Sequence, residues 1–338
     1  YMLIFFQPFN RFNSFREIAF YGLLLLFILR IFKDKAVHID FRDITIVALS
    51  LLAGWAVLVS ILGPYPLDSL NALRKNLFVQ ALIFIVIITE FKDTQKLGKL
   101  FQIVVASFSV VTVASIIEVI QADWTNLNRT HEMFIAGYAN NATFYLPFIA
   151  VWLIALREKA WTKWIGIITL LTGLIIVFLY NSRTALIAIP TGIFIILFLS
   201  KKYKLFIVSL ILFMLSMSAI FSSQSDVFLK YRSLSETETY TKLHSRTHVW
   251  QGALHIIRER PFTGYGYGWK KMAWVARDLN LEKYWKEQYP HVYAYYVNEA
   301  HLSYGRVNPH NLILQIVFEI GLIGLGIFLW FWITIFSK

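Results

Sequence analysis

Apolar residues fall in long, nearly unbroken runs along most of the chain. They lie at about 15–32, 44–62, 70–91, 100–120, 139–156, 164–180, 184–200, 205–221 and 311–336. A helix crossing a bilayer needs about 20 predominantly apolar residues, and only structures that satisfy their own backbone can sit in lipid. Residues 1–9 read as the tail of another such run. The pattern predicts an all-α polytopic membrane protein with about ten or more transmembrane helices. One stretch interrupts it, a large helical loop before the last span. The chain therefore divides into a transmembrane bundle over 1–221, a loop over 222–310 and a final transmembrane helix over 311–338.

The loop has internal order. Ser245 to Arg260 predicts a helix, with Val249, Ala253, Ile256 and Ile257 on one apolar face and Pro261 stopping it. Trp269 to Tyr289 alternates aromatic with charged residues, a pattern suited to lying along a bilayer surface. These pieces read as a small helical cap over the membrane face. Between them, Gly264-Tyr265-Gly266-Tyr267-Gly268 has part of a dinucleotide fingerprint, but no strand precedes it, so it reads as a flexible turn.

Composition agrees with the membrane class. Of 338 residues, 57% are hydrophobic and 15% charged, against about 25% charged in soluble domains. The absence of cysteine removes disulfides, thiolate catalysis and cysteine zinc sites. The net charge of +12 does not point to nucleic acid, because the bases cluster in membrane-flanking loops, where they set orientation and meet anionic lipid. Thirteen bases lie in the loops around 30–42, 92–99, 157–163 and 201–204. The opposite short connections carry six: Arg11, Arg16, Arg74, Lys75, Arg129 and Arg183. The denser set belongs in the cytoplasm, which puts 222–310 and His310 outside.

The six outward bases run against this bias and are candidates for chemistry. Arg183 follows Asn181 and Ser182, either of which can cap the helix starting near Thr184. The free N–H groups and the guanidinium would then face one anion; a snorkelling arginine is the plain alternative. Arg74 and Lys75 lie one to two turns into a helix whose N-cap reads as Asp68, and there a snorkelling pair is the plain reading. Arg246 shares a helical face with Trp250, four residues on. His244 and His248 have zinc-like spacing but no third ligand, so no metal site is expected. His310, in Asn308-Pro309-His310-Asn311, sits where the loop meets the last span. A neutral imidazole there can take a proton from a hydroxyl, with the two asparagines orienting the sugar or the ring.

Asn181-Ser182-Arg183-Thr184-Ala185-Leu186, Ser245-Arg246-Thr247-His248-Val249-Trp250, Pro261-Phe262-Thr263-Gly264 and Asn308-Pro309-His310-Asn311-Leu312 resemble, in that order, the landmarks of the O-antigen ligase superfamily. The resemblance covers about 130–330. It implies a metal-independent, inverting glycosyltransferase of the bacterial inner membrane, with its active site facing the periplasm and no cofactor. Such an enzyme moves glycan from undecaprenyl diphosphate to the lipid A–core acceptor. It further implies that Arg183 and Arg246 bind the diphosphate, that Lys75 joins them with Arg74 beside it, and that His310 acts at the acceptor hydroxyl. Members of the family continue further at both ends, so more chain is expected beyond residues 1 and 338. An O-antigen polymerase or a protein O-oligosaccharyltransferase of the same superfamily would need the same groups. A lipid-linked glycan transporter is the alternative of another class. It would show internal repeats and mid-membrane charges; no repeat is evident, and Glu118 reads as the only acid well inside a span.

Overall fold

The computed structural model describes residues 1–9, 12–34, 42–91, 93–121, 137–155, 160–179, 182–222 and 238–337. Arg11, Arg129 and Asn181 lie outside the described residues. Each predicted apolar run is helical. In chain order the helices are α1 (Met2–Phe6), α2 (Asn13–Asp34), α3 (Ile44–Ile61), α4 (Pro66–Glu90), α5 (Thr94–Gln121), α6 (Tyr138–Ala155), α7 (Ala160–Leu179), α8 (Arg183–Leu199) and α9 (Tyr203–Ser222). They continue as α10 (Glu238–Glu259), α11 (Met272–Asp278), α12 (Leu281–Gln288), α13 (Pro290–Tyr293, running into a π turn over Ala294–Glu299) and α14 (Leu312–Phe336). No strand occurs among the described residues.

Five of these helices are long and apolar enough to cross a bilayer: Ile44–Ile61, Pro66–Glu90, Gln95–Gln121, Trp161–Leu179 and Leu312–Phe336. Thr184–Leu199 and Tyr203–Ser216 are apolar but shorter. α2 carries Arg16, Glu17, Arg30, Lys33 and Asp34 within its length. Counting apolar runs alone gave ten or more; weighing length and interior charge gives five among the described residues.

One compact unit comprises Tyr1–Ala36 and Glu90–Ser233. Its core is built around Phe108, Tyr138, Leu146, Ile149, Trp152, Val177 and Ile189. Phe108 stacks against Tyr145 with centroids 4.8 Å apart, and Thr112 Oγ1 lies 3.0 Å from the Tyr138 hydroxyl. Gly173 allows close helix approach, since a Cβ there would come 2.9 Å from Leu146. Ser182 takes the N-cap position of α8, but its side chain makes no cap bond.

The second unit comprises Val37–Thr89 and Leu234–Lys338. Asp43 caps α3, accepting from the Thr45 N–H at 2.8 Å. Pro66 opens α4 with Tyr65 at the N-cap, so Asp68 lies inside the first turn rather than at the cap. α14 packs on α3 through Leu52, Ala56, Val59, Ile316 and Ile320. It is broken at Gly321, whose φ is +71°. The freed groups find partners: Tyr265 N–H donates to Phe318 O at 2.9 Å, Trp55 Nε1 to Ile320 O at 2.8 Å, and Leu322 N–H to Pro261 O at 2.8 Å. Such substitution is required wherever a helix breaks in an apolar setting. Glu319 lies two residues before the break, so Glu118 is not the only acid inside a predicted span.

The face predicted on α10, Val249, Ala253, Ile256 and Ile257, is buried. It packs with Met272, Ala273, Ala276, Trp285, Tyr296 and Phe318 in a core of the unit's own. Trp285 is fully buried, its Nε1 donating to His255 Nδ1 at 2.9 Å. Met272, Ala273, Val275, Ala276 and Trp285 thus enter this core from residues 269–289; alternating aromatic and charged residues fit a small packed helix as well as a surface-lying one. The glycine turn is closely packed. Gly264, Gly266 and Gly268 all have positive φ, and a Cβ on Gly266 would come 2.7 Å from Ser69 Oγ. Tyr267 N–H donates to Ser60 Oγ at 3.0 Å, which ties the turn to the end of α3.

Candidate active site

The Asn308–Asn311 turn is built by its own amides. Asn311 caps α14, its Oδ1 accepting from the N–H groups of Ile313 and Leu314 at 3.0 and 3.2 Å. Asn308 Oδ1 accepts the His310 backbone N–H at 2.8 Å. Both asparagine oxygens therefore hold the turn rather than await a sugar. His310 has φ +48°, a left-handed conformation that costs a non-glycine residue about 1–2 kcal/mol. Such strain persists only where neighbours impose it. One of those neighbours is Trp250 on α10, whose Nε1 donates to the Pro309 carbonyl at 2.8 Å.

That bond brings α10 against the turn and Arg246 towards His310. Burial, and then the positive charge of Arg246, hold the His310 imidazole below its ordinary pKa of 6.5. Near neutral pH it is therefore neutral and free to accept a proton. Arg246 is exposed, as is His310. An exposed guanidinium beside a neutral imidazole can bind an anion and leave the base uncharged.

The other sequence candidates fall elsewhere. Arg74 and Lys75 are exposed on a π-helical turn of α4, Arg74–Phe78. Arg74 donates to Asn71 Oδ1 at 3.1 Å. Turns of this kind interrupt the regular ladder and recur at functional sites. Arg183 opens α8 in the first unit. His248 stacks on His291 with centroids 4.7 Å apart. No three His, Asp or Glu side chains converge among the described residues. A cavity lined by Asp43, Thr45, Phe84, Ile88 and Ile335 lies at the far ends of α3, α4 and α14, away from His310.

Sequence reasoning missed a buried polar cluster below the turn. Lys271 is 0% exposed and donates to Tyr267 O at 2.6 Å and Ser69 Oγ at 2.7 Å. Glu319, 4% exposed, accepts from Gln315 Nε2 at 2.9 Å and from the Gly268 and Trp269 N–H groups. Burial lowers the Lys271 amine to about 8, with Glu319 and Asp68 opposing the shift. The Tyr304 hydroxyl donates to Asp68. The acid inside the last apolar run was the one available signal, and it is visible in the sequence.

Residues 167–329 match the O-antigen ligase family. This stretch of the chain is similar to that family. Its span takes in Arg183, Arg246, Lys271, His310 and Glu319 but neither Arg74 nor Lys75. The match implies a glycosyltransferase-like enzyme, and five helices long and apolar enough to cross a bilayer agree with a multi-pass membrane protein. No curated protein matches the chain.

Proposed function

We propose that this chain is an O-antigen ligase of the bacterial inner membrane, transferring glycan from undecaprenyl diphosphate to the lipid A–core oligosaccharide at the periplasmic face. The observation that carries the reading is the juxtaposition of Arg246 with a neutral, constrained His310 inside the matched stretch. His310 takes the proton of the acceptor hydroxyl as that oxygen attacks the anomeric carbon. The bond to the diphosphate breaks with inversion, and Arg246 stabilises the leaving anion through charge-assisted bidentate contacts; for Arg183 the same role is supported by the family resemblance alone. Lys75 and Arg74 supply further positive charge from α4. The test is transfer by the purified protein from a lipid-linked glycan to defined acceptors. Transfer to lipid A–core supports the ligase; extension of the lipid-linked glycan itself would make it a polymerase. A buried acid and a broken helix are also features of transporters, yet Glu319 accepts hydrogen bonds from Gln315, Gly268 and Trp269, which gives it an anchoring role.

The reaction as drawn needs no divalent ion, because guanidinium groups neutralise the diphosphate. Turnover is therefore expected to survive excess EDTA. Loss that only magnesium or manganese restores would defeat that part of the reading.

We propose ten or more spans from the apolar runs and, from the loop charges, that the 222–310 loop lies outside. The bonds from Tyr267 to Ser60 and from Lys271 to Ser69 support the outward loop, since those serines end α3 and begin α4 on the side that the charges place outside. Topology reporters fused at Lys96 and Lys202 are expected to read cytoplasmic, and one at Glu238 periplasmic. A cytoplasmic signal at Glu238 would sink the site assignment.

A further inference from the structure

The buried pair Lys271 and Glu319 takes no part in the chemistry drawn above. Ionisable groups withdrawn from water are costly unless each is fully partnered, and replacing buried charged residues by apolar ones often does not lower stability. A role beyond stability is therefore worth seeking in what the pair connects.

It connects three stretches. The Lys271 ammonium reaches Ser69 in the first turn of α4 and the Tyr267 carbonyl in the glycine turn. The Glu319 carboxylate, on α14, takes the Gly268 and Trp269 N–H groups of that same turn. Ser69 lies five residues before Arg74 on the same helix, and Glu319 lies nine after His310. The glycines seal the junction. A Cβ on Gly264 would come 2.7 Å from Phe318 O, and one on Gly268 would come 2.8 Å from Ala72 Cβ. The break at Gly321, just beyond Glu319, is filled by residues 261–265. Both helix starts are thus indexed to one closely packed turn.

We infer that Lys271 and Glu319 are positioning residues, fixing the start of α4, with Arg74 and Lys75, relative to the start of α14, with His310. The inference rests on the ligase reading, in which those two starts hold the diphosphate and the acceptor base. Buried pairs that fix one arrangement among several are known elsewhere in folding.

The experiment uses the full chain in nanodiscs and has an arm independent of activity. The sequence has no cysteine, so Asn76→Cys and Leu312→Cys, both at exposed positions, can carry spin labels without background. Distance distributions are measured in the native chain, in Lys271→Met/Glu319→Gln, which leaves no unpaired charge, and in Ser69→Ala, which releases only the α4 side. The expected result is a native-like melting temperature in the double variant, a broadened or shifted distance, and single-turnover transfer at least about tenfold slower at saturating substrates. Ser69→Ala is expected to broaden the distance less and to raise the donor KM more than it lowers kcat. An unchanged distance in a folded double variant overturns the inference, and so does a broadened distance with native turnover. Should the double variant fail to fold, the Ser69→Ala distance and KM decide on the same terms. If the native chain transfers no glycan, the ligase reading falls, while the distance arm still decides whether the pair holds the two starts together.

Discussion

Replacing His310 is expected to lower single-turnover transfer by about 10²–10⁴-fold, roughly 3–5 kcal/mol of barrier, the range for general-base assistance. In the proposed reaction guanidinium charge would neutralise the leaving diphosphate, so the proton demand would fall on the incoming hydroxyl, and His310 is the group proposed to meet it. Two variants separate chemistry from folding. His310→Ala removes the base but places alanine at φ +48°, a strained position; His310→Asn removes it with a residue that tolerates this region. Both are expected to bind donor normally. The pH profile adds a signature. The imidazole is held below 6.5 by burial and by Arg246, and it works as a base only when neutral. Turnover should therefore stay level as pH falls through 6.5 and decline only below it. His301→Asn and His244→Ala should keep most activity. Near-native turnover in both His310 variants would remove histidine as the base and leave exposed Glu299, in the π turn beside the site, as the next candidate.

The helices were legible because membrane spans declare themselves in composition: the apolar runs and α10 with its buried face all correspond to helices. Span number was less legible, because it depends on length and on charges such as those of α2. Arg246 and His310 were readable one by one from their motifs. Their meeting was not, because it depends on the Trp250–Pro309 bond across 59 residues of chain. Lys271 and Glu319 were hidden for another reason. A lysine in a charged loop and a glutamate in an apolar helix become a pair only once three glycines with positive φ bring the chain together. Asn308 and Asn311 looked like ligand groups, yet they serve the turn, because backbone N–H groups at a helix start take the nearest acceptor first.

Arg246→Ala is expected to cost about ten- to a hundred-fold in kcat/KM for the donor, the worth of one charge-assisted contact at about 1.5–3 kcal/mol. Arg183→Ala is expected to do the same from α8. Normal ligation by both, at equal expression, would exclude the diphosphate assignment. Arg246 carries a second consequence that Arg183 does not. Its charge is one of the two causes holding His310 below the ordinary histidine range. A positive neighbour disfavours the imidazolium, so its removal raises the imidazole pKa. The acid limb of turnover should move up towards 6.5 but stop short of it, because burial, the larger cause, remains. Arg246→Lys separates the two effects. It keeps the charge, and so the acid limb should stay near its native position. It loses the planar fork that grips two phosphate oxygens, and donor binding should still weaken. A lysine variant with native donor affinity would mean that Arg246 tunes the base without gripping the diphosphate.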